Sequence, residues 1–380
     1  MSKWGGKYVI GLTGNIGTGK SVVRRMLEHI GAYGIDADAL AHRAIAKGAP
    51  GYRPVVETFG KWVLGADGEI NRQKLGSLVF ANPAALKELE RIVHPLVGKA
   101  VEIIASRAKQ DVVVIEAIKL LETDLRSACD SIWVTYASPE IQLRRLMHYR
   151  KMTAEEARTR IQAQPPQEEK IKAANVFIKN VGTFEDTWFQ VLTAWKKAFP
   201  AMPQEAEEIV EESEATAGEI QVIRGKPKHS AEIAELINKF NKGEQELDRN
   251  DIMAAFGEKA FLLVKDGSAF QGVIGWQVEN LVSRTVDIVF APKAAVERIL
   301  PPLMDEMEKA SKDLQCEASL VFVPDQLKVP DQTWRDLGYK PIVPEKLGVI
   351  AWQEAAQESM PAGTKLYFKQ LRKDRILRPI

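Results

Sequence analysis

The segment Gly14-Asn15-Ile16-Gly17-Thr18-Gly19-Lys20-Ser21 constrains this chain more than any other. It has a Gly, four intervening residues and then Gly-Lys-Ser. A short apolar run, Tyr8–Leu12, precedes it and a helix-forming stretch, Ser21–Ile30, follows it. Strand, glycine loop and helix in that order make a P-loop. The glycines let the backbone close around a polyphosphate with its N–H groups turned inward. The start of the helix adds its positive end to the same place. Lys20 is expected to reach the β- and γ-phosphates of a nucleoside triphosphate, and the Ser21 hydroxyl to ligate Mg²⁺.

A strand feeding a helix through such a loop predicts an α/β fold. Further apolar strands are expected at Val112–Ile115, Ser131–Tyr136 and Val176–Ile178, with helices at Pro83–Ile92, Leu96–Lys109 and Ser138–His148 between them. Apolar strands alternating with helices imply a parallel sheet with helices on both faces. Residues 201–219 carry seven acidic side chains and no basic one, the composition of a solvated linker. After it come an expected helix at Ser230–Lys242, a hairpin of Ala260–Lys265 and Gln271–Asn280 turning at Asp266-Gly267, a strand Val286–Phe290, a helix Ala294–Gln315 and a strand Ala318–Val323. The expected domains are therefore 1–200, the linker 201–219, and an α+β domain over 220–380.

Composition narrows the partners. A net charge of +1 gives no support for nucleic-acid binding. No apolar run approaches the roughly 18–20 residues of a membrane span, and the N-terminus has too short an apolar segment for a signal peptide. Two cysteines, Cys129 and Cys316, cannot build a disulfide framework or a thiolate cluster, which fits a cytoplasmic protein. Oligomeric state is not legible.

A P-loop names the triphosphate and not its fate. The Asn-Lys-x-Asp signature of guanine recognition is absent from the sequence. Gly34-Ile35-Asp36-Ala37-Asp38 places two carboxylates at the end of an expected second strand, beside the phosphates. A small-molecule kinase needs one there to take the acceptor hydroxyl's proton. One of the pair could instead cap the following helix.

With these motifs the first half resembles the dephospho-coenzyme A kinase family, over about residues 7–195. The resemblance is carried by Gly11-Leu12-Thr13-Gly14 with the P-loop, Ile35-Asp36-Ala37-Asp38, Asp67-Gly68-Glu69-Ile70-Asn71-Arg72, Leu89 to Pro95, Leu120-Leu121-Glu122, Gln142 to Met147, Arg160 to Gln164 and Asn180-Val181-Gly182. It implies ATP-dependent phosphorylation of the ribose 3′-hydroxyl of dephospho-CoA, with ATP and Mg²⁺ as cofactors. It also implies a nucleotide core, a helical substrate region around 65–100 and a lid around 140–165. ATP-binding residues would then be Gly14, Asn15, Ile16, Gly17, Thr18, Gly19, Lys20, Ser21 and Val22. Asp38 becomes the proposed base, and Lys20 and Arg145 the charges on the transferring phosphoryl. Asp36 and His94 fall on the substrate side, although His94 is equally suited to a helix cap. Among Arg144, Arg145, Arg150 and Arg160 the lid supplies its guanidinium most naturally through Arg145.

The sequence also departs from the family pattern. Lys119 stands where an apolar residue is usual, Tyr149-Arg150 where the lid reads Arg-Asp, Asn175 in place of Asp, and Lys179 in place of Asp before Asn180. These changes point to altered substrate recognition, and they keep open a regulatory nucleotide- or CoA-binding protein with impaired turnover.

Residues 220–355 resemble the GNAT acetyltransferase superfamily in their strand and helix order and in the phrase Thr333-Trp334-Arg335-Asp336-Leu337-Gly338-Tyr339. The stretch at the family's pyrophosphate loop, Phe290-Ala291-Pro292-Lys293-Ala294-Ala295-Val296, has no glycine, and its proline removes a donor N–H. A module without acetyl transfer is expected, with a bifunctional enzyme as the other possibility. Tyr339 is a potential general acid or a core residue. The stretch from Lys365 to Arg378 is expected to be a solvated basic tail.

Overall fold

The computed structural model describes residue 4 and residues 6–200, 220–240, 246–267, 269–279, 281–291 and 294–373. The chain divides into two compact units, the first reaching Ala194 and the second beginning at Trp195. That division falls inside a helix instead of at residue 200. The acidic segment 201–219 lies outside the described residues.

The first unit runs β1 (Tyr8–Thr13), α1 (Lys20–His29), β2 (Tyr33–Asp36), α2 (Ala37–Ala44), α3 (Tyr52–Phe59), α4 (Arg72–Ala81), α5 (Pro83–Arg107), β3 (Val112–Glu116), β4 (Ser131–Tyr136), α6 (Pro139–Tyr149), α7 (Ala154–Gln162), α8 (Gln167–Lys172), β5 (Val176–Lys179) and α9 (Phe184–Ala198). The sheet is parallel throughout, in the order β2-β3-β1-β4-β5. β3 is buried along its whole length and β1 at every residue after Tyr8, as unalternating apolar strands require. Their register brings the carboxyl ends level, with Leu12 and Asp36 both opposite Glu116.

The helical region begins earlier than residue 65. α3 to α5 share a small core of Val55, Val63, Ile70, Leu75 and Val79. Asn71 and Asn82 cap α4 and α5 by accepting from the amides of their first turns. Two helices were expected across 83–109, yet α5 is continuous through Pro95. Pro95 lies on the exposed side, so the unbonded carbonyl one turn earlier meets water, while Val93, Val97, Ala100 and Val101 keep one buried face on both sides of it. His94 is therefore mid-helix and caps nothing.

The second unit runs β6 (Ile220–Arg224), α10 (Ser230–Phe240), α11 (Arg249–Ala255), β7 (Ala260–Asp266), β8 (Ala269–Glu279), β9 (Val282–Phe290), α12 (Val296–Asp313), β10 (Ala318–Pro324), α13 (Asp331–Asp336), β11 (Lys340–Pro341), α14 (Ile350–Ser359) and β12 (Thr364–Gln370). Its sheet has the order β11-β12-β10-β9-β8-β7-β6 and is antiparallel apart from β9 with β10. This is the α+β arrangement expected. One face packs on α12 and α13 through Leu300, Leu303, Met307 and Trp334, the other on α14 through Trp352 and Ala356.

The basic tail needs correction. Residues 364–370 form β12, inserted between β10 and β11. Leu366 and Tyr367 are buried on opposite faces, and Lys369 turns inward to donate to Glu308 at 2.6 Å and to the Leu337 carbonyl at 2.7 Å. Its run of lysines hid a strand with both faces covered. Arg375 and Arg378 lie outside the described residues.

Candidate nucleotide and acceptor site

The P-loop leaves β1 at the point where three strand ends meet. Gly17 and Gly19 have φ of 74° and 87°, values that a side chain tolerates poorly. Gly19 also lacks room: a Cβ there would lie 2.0 Å from the Asn180 side-chain nitrogen. That nitrogen donates to the Thr18 carbonyl at 3.0 Å. Asn180 Oδ1 accepts from Thr187 and from Arg145, each at 3.1 Å. Arg145 also donates to the Gly17 carbonyl at 3.2 Å. From beyond α7, Gln164 Oε1 accepts the Ile16 N–H at 2.7 Å, and Asn15 Nδ2 donates to the Pro165 carbonyl at 2.8 Å. The loop is thus knit to α6, to the segment joining α7 and α8, and to the end of β5. Lys20 is buried and folds back to the Asn15 carbonyl at 3.3 Å.

Ser21 and Arg24 share one partner on β3. The Ser21 hydroxyl donates to Glu116 Oε1 at 2.7 Å, and Arg24 Nε to Oε2 at 2.8 Å. Arg24 also donates to Glu28 at 2.5 Å. Burial opposes the charge on Glu116, but Arg24 and then Lys20 outweigh it and hold the carboxyl below the usual glutamate range. Among the described residues no group of three or more His, Cys, Asp or Glu could hold a metal by itself. The donor set instead suits Mg²⁺ bound largely through phosphate oxygens and water. The proton of the Ser21 hydroxyl is committed to Glu116, which leaves its lone pairs for a cation.

The two aspartates separate in role. Asp36 Oδ1 accepts the Ala39 N–H at 2.8 Å and caps α2. Burial, and next the charge of Glu116 opposite, push its carboxyl up to about 6. Asp38, in the first turn of α2, accepts the Ile118 N–H at 3.0 Å through Oδ2. Burial raises its pKa, while Lys20 and the Ile118 hydrogen bond hold the rise back. The Ile118 carbonyl in turn accepts from Thr13 at 3.1 Å and from Lys170 Nζ at 2.6 Å.

The structure therefore gathers Gly14 to Ser21, Asp38, Asp36 and Arg145, with Val22 half-buried one residue further along α1. Arg144, Arg150 and Arg160 are exposed. Among the described residues His94 makes no hydrogen bond or ion pair, and nothing ties it to this cluster. Sequence reasoning assigned no role to Glu116, Arg24, Gln164, Lys170 or Asn180. Glu116 had a signal, as the one charged residue ending the apolar strand Val112–Ile115. The others join the site only through space.

The departures sit mostly away from this cluster. Asn175 brackets Ile132, its N–H donating to the Ile132 carbonyl and its Oδ1 accepting the Ile132 N–H, both at 2.8 Å. Lys179 pairs its backbone with the Gln190 side chain. Tyr149 is exposed at the end of α6, edge-on to His148. Lys119 donates to Glu90 on α5 at 2.6 Å.

The chain is similar to known proteins over its first half. The dephospho-CoA kinase family model matches residues 8–186. The dephospho-CoA kinase of Carboxydothermus hydrogenoformans is 43% identical over 194 residues, which span 50% of this chain and 93% of that protein. The crystal structure of TT1252 from Thermus thermophilus is 33% identical, covers 51% of this chain and 98% of its own, and has a TM-score of 0.45. A GNAT-family acetyltransferase from Staphylococcus aureus is 17% identical over 40% of this chain and 100% of its own, with a TM-score of 0.31.

Proposed function

The chain belongs to the dephospho-CoA kinase family, and on that premise we propose that it transfers the γ-phosphoryl of ATP to the ribose 3′-hydroxyl of dephospho-CoA with Asp38 as general base. One observation carries the assignment: Asp38 is half-buried within the field of Lys20, its carboxylate aimed by the Ile118 N–H at 3.0 Å. Burial raises its pKa, which favours proton acceptance, while Lys20 and the Ile118 N–H hold that rise back. Asp36 is committed to its helix cap, so substrate contact there falls to its second oxygen.

In the step itself the 3′-oxygen bonds to the γ-phosphorus as the bridging bond of ATP breaks. ADP leaves with the electron pair, and the hydroxyl proton passes to Asp38. Lys20 and the loop amides hold the phosphates, and Arg145 supplies a fixed guanidinium at the edge of the loop. The Ser21 hydroxyl, oriented by Glu116, would hold Mg²⁺, which would supply neutralisation of phosphate charge. The test is full-length protein with ATP, Mg²⁺ and dephospho-CoA, following ADP and product mass. A gain of one phosphoryl on dephospho-CoA at the 3′ position supports the reading, and ATP binding without turnover refutes it.

For the second unit the same reading is a CoA-handling fold without acetyl transfer. Its support is the glycine-free stretch 290–296 and the state of Tyr339. That side chain is wholly buried, its hydroxyl bonded to Ser319 at 3.1 Å and its pKa raised by burial and by Glu308. A hydroxyl so enclosed and already bonded to Ser319 is poorly placed to protonate a bound substrate. Release of free CoA from acetyl-CoA in the presence of a panel of amines would overturn this.

A further inference from the structure

One peptide, that of Ile118, joins the acceptor side of the site to the segment beyond the lid. Its N–H donates to Asp38 at 3.0 Å and its carbonyl accepts Lys170 Nζ at 2.6 Å. Lys170 comes from α8, more than fifty residues further on, and is 4% exposed. Among the described residues its ammonium has that single hydrogen-bond acceptor, and the carboxylates that act on it from further off are Glu122 and Asp38. A buried ammonium costs several kcal/mol when left unpaired, and an uncharged donor could hold a carbonyl as well. The charge is therefore what the position supplies.

We propose that Lys170 is a positioning residue for Asp38: it fixes the Ile118 peptide that aims the carboxylate, and its ammonium favours the ionised form that accepts the proton. This rests on the reading of Asp38 as base. The charged groups facing Asp38 are Lys20 from α1, Asp36 at the end of β2, Glu116 from β3 and Lys170 from α8. Arg24 is spent on Glu116, so the cations that favour ionised Asp38 are Lys20 and Lys170, and loss of Lys170 leaves Lys20 alone in that role. Facing Lys170 itself are Glu122, Lys20 and Asp38.

The test is steady-state kinetics of Lys170→Met, Lys170→Gln and Asp38→Asn across pH 5 to 9, with both KM values. Lys170→Met is expected to lower kcat by about tenfold or more, with the KM for ATP little changed and the acidic limb of the kcat profile moved to higher pH. Lys170→Gln keeps a donor for the Ile118 carbonyl and removes only the charge. It should fold even where the Met variant does not, lose less kcat, and show the same shift of the limb. An unmoved limb in the Gln variant overturns the proposal. So does a loss confined to the KM of either substrate, which would make Lys170 a phosphate ligand. Asp38→Asn with near-normal kcat would instead sink the base assignment itself, so the two failures are distinguishable.

Discussion

Arg145 and Asn180 meet at two points, the guanidinium donating to the Asn180 carbonyl at 3.2 Å and to its side-chain oxygen at 3.1 Å. Asn180 in turn holds the Thr18 carbonyl, so the guanidinium is located relative to the phosphate loop before any substrate arrives. A planar fork can do this and a point charge cannot. Arg145→Lys is expected to cut kcat by about tenfold or more while leaving the KM for dephospho-CoA nearly unchanged. Rates at saturating ATP would decide it, since an Arg that only tethers the lid would leave kcat alone.

Gly19 leaves no alternative. Alanine there incurs about 1–2 kcal/mol of left-handed backbone strain and also drives a methyl group into the Asn180 amide. Gly19→Ala should weaken ATP binding by at least about tenfold, which is about 1.4 kcal/mol. Calorimetric titration with a non-hydrolysable ATP analogue checks this, and unchanged affinity would show that the loop does not need this conformation.

Asp36 predicts a pH dependence of stability. Its folded pKa of about 6 lies above the ordinary 3.8, so between these values the folded chain holds a proton that the unfolded chain has lost. Stability from this group is full at low pH and falls as pH rises through about 6. Glu116, held low, contributes with the opposite sign at more acidic pH. Asp36→Asn keeps the cap oxygen and removes the charge, so melting temperature at pH 7.5 should stay level or rise and its decline between about pH 4 and 6 should flatten. A large increase in the KM for dephospho-CoA would instead make Asp36 a substrate contact.

Asn175→Asp restores the residue usual at that position and keeps the acceptor for Ile132. The side chain is exposed and joins β4 to β5 far in contact from the base, so kcat should stay within about a factor of two. A larger gain or loss in kcat would mean that this departure tunes catalysis after all.

What could be read in advance divides by distance along the chain. The P-loop, Asp38 and the parallel strands are contiguous patterns whose physics is local, and they were legible. The continuous α5 was not, because whether a proline breaks a helix depends on whether the opened carbonyl meets water or core. β12 was missed because Lys365 and Lys369 looked like a solvated run, whereas Glu308, sixty residues earlier, takes the second of them inward. Glu116 and Asn180 reach the loop from 95 and 162 residues away, and Lys170 reaches the Ile118 peptide from 52. No local spacing encodes such meetings.

The strand order has a consequence for the order of synthesis. β1 is made first but takes β3 and β4 as its neighbours, and its loop is completed by Asn180 just after β5. A chain emerging from its N-terminus therefore carries the phosphate loop for the whole length of β2 to β5 without the frame that shapes it. Nascent chains shorter than about residue 180 should neither retain nucleotide nor be stabilised by it, and once Asn180 emerges the loop can close while the second unit has yet to be made.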